Sequence, residues 1–158
     1  MDIVKIPPME KKDYDTLIEE GYVCRIAFIC EKYPYIAPFL YVFDGNFMYF
    51  LSTRYGKKQK CFGVNPYVSV EVERYSCDLS CYNFVTLQGR LEVVEDSIEK
   101  KVIRQKFIRM MQDKQLSPNI LAALGHSPQE PIESIATEER SLIWRLTGVR
   151  DIVALRNL

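Results

Sequence analysis

Two hydroxyl residues, a glycine and two lysines follow one another closely in Ser52-Thr53-Arg54-Tyr55-Gly56-Lys57-Lys58, and together they could hold a phosphate. The apolar, aromatic run at residues 47–51 reads as a strand. The residues after Gly56 read as a short helix, closed near Gly63 before Asn65-Pro66 breaks the chain. Hydroxyls, outward-pointing backbone amides and positive charge therefore meet where a strand hands over to a helix. A helix start favours an anion, because its first amides lack intrahelical partners and the helix dipole is positive there. A phosphate monoester carries nearly two negative charges near neutral pH, which two lysines and hydroxyl donors suit. Lys57, Lys58 and Lys60 can equally be read as a solvated helix face, the usual role of a charge run.

Other reactive residues give less. Cys77-Asp78-Leu79-Ser80-Cys81 invites a metal or redox reading, but a zinc site needs two further ligands and His126 is the single histidine. The pair is read as reduced loop cysteines, and no metal site is expected. His126 follows a helix-ending glycine and reads as a loop residue. Ser141 has no histidine–carboxylate system near it in sequence, so nucleophilic hydrolysis has no support. No Gly-x-Gly-x-x-Gly fingerprint follows a strand, which counts against a classical dinucleotide fold.

The elements that must position the phosphate stretch are mostly strands. Residues 11–20 carry Tyr14, Leu17 and Ile18 at helical spacing, ended by Gly21. Residues 22–30 and 35–43 are β-like. Pro38 implies an edge, a bulge or a ligand-facing position in the second of these strands. Asp44-Gly45 predicts a hairpin into the third. Residues 67–73 alternate with period two, and residues 83–94 form another long strand in which Gly89 suggests a bulge. Asp96 with Glu99 opens a helix to about residue 113, with Ile98, Val102, Ile103, Phe107, Met110 and Met111 expected as its buried stripe. Ser117-Pro118 starts a second short helix that Gly125 ends, residues 128–139 are irregular, and residues 141–146 and 151–155 read as two terminal strands around Thr147-Gly148. Short hairpin connections demand antiparallel pairing, so a mainly β barrel of five or six strands with peripheral helices is expected.

Composition bounds the rest. The 158 residues suit one domain, with a barrel core over about 12–95 and 139–156 and a helical insertion over about 96–125. Charge is balanced at 21 acidic and 21 basic residues, which argues against a nucleic-acid partner. No stretch approaches the roughly 20 apolar residues of a membrane span, and residues 1–12 lack an apolar signal core. Five cysteines show no paired framework, with Cys24 and Cys30 expected as small core or near-core residues, so a cytoplasmic location is expected.

Taken in order, these features resemble the FMN-binding split barrel, the fold of pyridoxamine 5′-phosphate oxidase and its relatives. The resemblance rests on Cys24-Arg25-Ile26-Ala27, on the hairpin from Pro34 through Ile36-Ala37-Pro38-Phe39-Leu40 to Asp44-Gly45, and on Tyr49-Phe50-Leu51-Ser52-Thr53 with Gly56-Lys57-Lys58. Asn65-Pro66-Tyr67-Val68-Ser69-Val70 and the strand from Phe84 to Leu91 complete it. It covers residues 12–95 well and is most similar to the branch that includes nitroimidazole-resistance proteins. It implies an antiparallel split barrel of FMN-binding type, with the FMN phosphate on Ser52, Thr53, Lys57 and Lys58, joined by Arg25 beside Ile26 and Ala27. The flavin ring is implied to lie against Ala37, Pro38, Phe39 and Leu40, with Asn83 and Phe84 at its edge. Within its apolar strand, Arg25 needs a partner, and Glu71 or Glu73 could serve in place of phosphate. Trp144, the single tryptophan, is expected in the core or in dimer packing, and Tyr82 is one of ten tyrosines that could stack on a flavin.

The resemblance further implies a homodimer with flavin at the subunit interface and an FMN-dependent oxidoreductase, with a small-molecule substrate or nicotinamide donor as partner. No catalytic residue is identified. The C-terminal arginine-x-histidine element that binds substrate phosphate in the oxidase proper is missing, since no histidine follows Arg145. The histidine that nitroimidazole reductases place near the flavin is missing from the matching hairpin. A non-catalytic flavin storage or sensing module, a deazaflavin-dependent reductase and a structural dimer without cofactor compete with the oxidoreductase reading.

Overall fold

Alternating apolar residues commit most of this chain to strands, and six of them close on one another in a computed structural model that describes residues 1–157. The elements run α1 (Lys11–Glu20), β1 (Val23–Phe28), β2 (Tyr35–Phe43), β3 (Met48–Thr53), α2 (Lys57–Val64), β4 (Tyr67–Tyr75), β5 (Tyr82–Val93) and α3 (Ser97–Asp113). A 3-10 helix (Pro118–Leu124), α4 (Ser134–Thr137) and β6 (Ser141–Arg156) follow. The barrel order is β1-β2-β3-β6-β5-β4, with every ladder antiparallel. This is the expected mainly β split barrel with peripheral helices. Leu158, the last residue of the expected domain, lies outside the described residues.

Local chemistry sets several of these boundaries. In the β2–β3 hairpin, the amides of Asn46 and Phe47 donate to Asp44 Oδ1 at 2.8 and 2.7 Å, and Gly45 takes a φ of 97° that L side chains avoid. The amide of Glu99 donates to the Asp96 carboxylate at 2.8 Å and caps α3. At Gly89 the β5–β6 register shifts, and a side chain there would stand 2.7 Å from the Thr147 carbonyl oxygen.

Two cores result. Inside the barrel, Phe28, Phe39, Phe50 and Trp144 pack with Ile26, Val70 and Val85. Outside it, Leu40, Val42, Tyr49, Leu51 and Ile143 of β2, β3 and β6 meet Ile103, Phe107, Ile108 and Met111 of α3. Residues on these three strands are therefore buried on both faces, which explains the unbroken apolar run before Ser52. Arg104 is buried on the same side of α3 and donates to the carbonyl oxygens of Ile135 and Ser141 and to Ser141 Oγ. Ser141 is thus a structural anchor.

Three sequence expectations are corrected. Ile98 and Val102 are exposed, at 73% and 50%, because they sit roughly 140–180° round the helix from Phe107, the centre of the Ile103–Phe107–Met111 stripe that touches the barrel. The two terminal strands are one long strand, β6, in which residues 148–150 bulge opposite Gly89 instead of turning back. Cys30 and Cys61 form a disulfide, so cysteine usage no longer speaks for a reducing compartment. Cys24 is buried, and Cys77 and Cys81 are exposed and free. Among the described residues, no helix is long and apolar enough to cross a membrane.

Candidate functional site

The barrel splits where β2 and β3 part. Their ladder joins Tyr41–Phe43 to Phe50–Met48 only, while residues 35–40 of β2 pair with β1 alone. Pro38 is tolerated in the sheet because β3 makes no ladder with β2 at that level. The chain leaves β3 at Thr53, turns through Gly56 at a φ of 101°, and packs α2 against β1 and β2. Phe62 of α2 rests on Trp144 with ring centroids 4.8 Å apart, which seats the helix on the barrel core.

This seat brings Lys57 and Lys58 over the upstream half of β2. Lys57 Nζ stands 5.1 Å from the Tyr35 ring centre and Lys58 Nζ 5.1 Å from that of Phe39. Neither lysine forms an ion pair among the described residues. Burial lowers the Lys58 pKa from its ordinary value, the expected effect of desolvating an ammonium. No side chain caps the first amides of α2. Half-buried positive charge without a carboxylate, beside an uncapped helix start, is an arrangement that a phosphate fits.

The two hydroxyls of the sequence pattern have a different immediate role. Ser52 is fully buried; its Oγ donates to the Thr53 carbonyl at 3.0 Å and accepts from Gln59 Nε2 at 3.4 Å. Thr53 Oγ1 donates to the Tyr55 carbonyl at 3.1 Å, and Gln59 Nε2 also donates to the Thr53 carbonyl at 3.1 Å. These bonds hold the turn that aims the lysines. Tyr35 and Gln59 belong to this corner although sequence reasoning missed them. A glutamine one position past a lysine pair carries no pattern of its own.

Arg25 faces away from the corner and finds the carboxylate partner expected as the alternative to phosphate, on an outer rather than a buried face. β1 alternates, so Cys24, Ile26 and Phe28 face the core while Val23, Arg25 and Ala27 face outward. The Arg25 side chain is 54% exposed and its Nη1 donates to Glu73 Oε1 at 2.7 Å. Beside this pair, burial and the neighbouring Glu73 raise the Glu71 pKa. Ile26 and Phe39 are core side chains, Leu40 is buried beneath α3, and Pro38 is exposed on the outer face. Asn83 and Phe84 point to opposite faces of β5, and in the barrel order β5 is separated from β2 by β1 and β4. Within one subunit they do not meet the lysine corner.

Two further polar groups are structural. His126 is buried, with Nδ1 3.2 Å from Ser134 Oγ and 3.5 Å from Glu130 Oε2. Hydroxyl and carboxylate approach the same ring nitrogen, so the group is no nucleophile relay, which needs one on each nitrogen. Trp144 is fully enclosed by Phe28, Phe39 and Phe62, which places it in the core.

Known structures share this architecture. A FAD-binding protein from Mesorhizobium loti superposes with a TM-score of 0.69 at 18% identity, over 96% of this chain and 96% of that one. A FAD-binding protein from Mycobacterium smegmatis gives 0.59 at 13% identity, over 95% and 98%. A candidate 5-nitroimidazole antibiotic resistance protein from Bacteroides thetaiotaomicron gives 0.62 at 15% identity, over 96% and 90%. At these identities the likeness establishes the fold. No curated protein sequence matches the chain. The sequence profile described as pyridoxamine 5′-phosphate oxidase matches residues 10–143, most of the chain and all of the lysine corner. The chain therefore belongs to the pyridoxamine 5′-phosphate oxidase family.

Proposed function

We propose that the chain is an FMN-binding flavoprotein whose Lys57 and Lys58 hold the cofactor phosphate at the start of α2. The observation that carries this reading is Lys58: half-buried, lowered in pKa by desolvation, and without a carboxylate among the described residues. A dianionic phosphomonoester would offset that desolvation and meet the uncapped amides beside it. The upstream half of β2, Ala37 to Leu40, lies next to these lysines and is free of β3, which supports it as the bed of the flavin ring. The FAD-binding descriptions of two structural relatives support a flavin as the ligand class.

The proposed assembly is a homodimer with the cofactor between subunits. The outer face of the sheet supports it, because Val23, Ile36 and Val153 are exposed there at 46%, 62% and 46%. Arg25 and Phe84 share that outer face, so in a dimer they would reach the partner's site rather than their own.

Bound FMN would supply hydride and electron transfer, which needs no acid–base triad from the protein. The residues of the chain would bind, orient and shield the ring, and the finer proposal is an oxidoreductase drawing electrons from a nicotinamide donor. Purified protein should therefore be yellow, absorbing at about 450 nm as flavins do, and its flavin should bleach and recover over repeated anaerobic cycles with a nicotinamide donor and an acceptor. Colourless protein that takes up no FMN contradicts the flavin reading. Coloured protein without turnover makes it a storage or sensing module.

A further inference from the structure

We infer that Cys30–Cys61 is a thiol–disulfide exchange site whose redox state sets how firmly α2 is held against the barrel. The bond ties the chain just beyond β1 to the middle of α2. Cys61 lies three and four residues after Lys58 and Lys57, one turn along the helix, so the tether sits beneath the two lysines. An eight-residue helix is marginal alone, and besides the disulfide α2 is held by the Phe62–Trp144 contact, the Gln59 hydrogen bonds to Ser52 and Thr53 and the lysine contacts with Tyr35 and Phe39. The two sulfurs differ in access. Cys61 is 1% exposed, whereas Cys30 is partly exposed beside a turn whose Tyr33 is 71% exposed.

A small dithiol reductant would therefore attack at the Cys30 sulfur. Its thiolate forms a mixed disulfide with Cys30, and the Cys61 sulfur leaves as a thiolate and takes a proton. The second thiol of the reductant then closes its own disulfide and releases Cys30 as a thiol. Two electrons and two protons pass to the cysteines, and the dithiol is oxidised to its disulfide. With the bond open, α2 separates from β1 more often, and the lysine corner loses its fixed geometry. This effect on the corner rests on the FMN reading above. The reverse exchange, in which a small-molecule disulfide takes the two electrons and two protons from Cys30 and Cys61 and becomes its dithiol, restores the corner, so ligand affinity would follow the thiol–disulfide state of the surroundings.

The test uses the full chain, with and without dithiothreitol in the dark, and has three arms. Alkylation of denatured, unreduced protein should find three free thiols, Cys24, Cys77 and Cys81, and after reduction five. Amide hydrogen exchange in α2 should quicken about tenfold on reduction while β5 and β6 stay protected. FMN affinity should fall about tenfold in step with it, since both report the same opening. A Cys77→Ser/Cys81→Ser variant should respond unchanged, and Cys30→Ser should behave as the reduced protein in either condition. Five thiols before reduction, or α2 exchange that ignores reduction, overturns the exchange site. Quickened exchange with constant FMN affinity overturns the regulation alone. Failure of both redox forms to bind FMN overturns the FMN reading and that regulation, while the exchange arm still decides whether α2 is released.

Discussion

Replacing Lys57 and Lys58 together by alanine should weaken FMN binding about a hundredfold, the effect of removing charge-assisted bonds to a phosphate. Both ammonium groups lie over β2 rings without carboxylate partners, so no compensating ion pair is broken and the fold should survive. Lys58 carries a desolvation penalty that anion binding would offset. Its single replacement should therefore weaken binding without lowering the melting temperature of the free protein. Titration by quenching of flavin fluorescence, with circular dichroism as the control for folding, measures both. An unchanged affinity in a folded double variant would remove the phosphate from this corner. The same loss accompanied by unfolding would give the lysines a structural role instead.

The second large effect lies beneath the corner. Trp144→Ala should cost about 3–5 kcal/mol of stability, the range for removing a large buried aromatic side chain. For a chain of this size that lowers the melting temperature by roughly 6–20 °C. Trp144 is fully buried and touches Phe28 of β1, Phe39 of β2 and Phe62 of α2 at centroid distances of 6.0, 5.7 and 4.8 Å. No single neighbour can fill the cavity without leaving its own contacts. Because Phe62 seats α2, FMN affinity should drop as well, through positioning alone. Trp144→Phe should keep part of both. A stability loss below about 1 kcal/mol in thermal or urea unfolding would contradict the packing described, because it would require near-complete collapse of the site.

How much of this was legible in the sequence depends on how far apart the deciding residues are. Asp44-Gly45, Asp96 with Glu99, Ser117 before Pro118, and the alternation from Tyr67 to Glu73 act within a few residues, and the structure follows each of them. Gly89 marks its bulge because a glycine inside a strand pattern is itself the signal, although what forbids a side chain there is the Thr147 carbonyl of the distant strand β6. The Cys30–Cys61 bond joins residues 31 positions apart, and only closure of β1 against α2 brings them together. Thr147-Gly148 looks like a hairpin turn because Gly148 takes a φ of 58°. The chain bulges there and stays on β5, since the barrel supplies a partner on both sides of the bend. Ile98 and Val102 form an i, i+4 apolar pair on the far side of α3, and spacing alone does not say which apolar face of the helix meets the barrel. For Arg25 the sequence leaves phosphate and a carboxylate both open, because an apolar strand does not reveal which alternate residues point inward, and within the chain Glu73 is the partner.

The candidate site divides the same way. Lys57 and Lys58 stood out because glycine, lysines and a strand end are contiguous. The aromatic floor of Tyr35 and Phe39, and the bracing by Gln59, appear only once α2 docks into the gap between β2 and β3. Ser52 and Thr53, which the resemblance implies as phosphate donors, give their hydroxyl protons to the Thr53 and Tyr55 carbonyls and so hold the turn that presents the lysines. Family membership supplies the fold around this corner, and the charge at Lys58 supplies the reason to place a phosphate in it.

The most direct test compares the affinity of the unmodified protein for FMN and for riboflavin, which differ by the phosphate alone. Binding by the lysine corner predicts FMN tighter by about a hundredfold, with the advantage shrinking as salt screens the lysines. Equal affinity for the two flavins, at low and high salt alike, would show that nothing in this chain holds the phosphate.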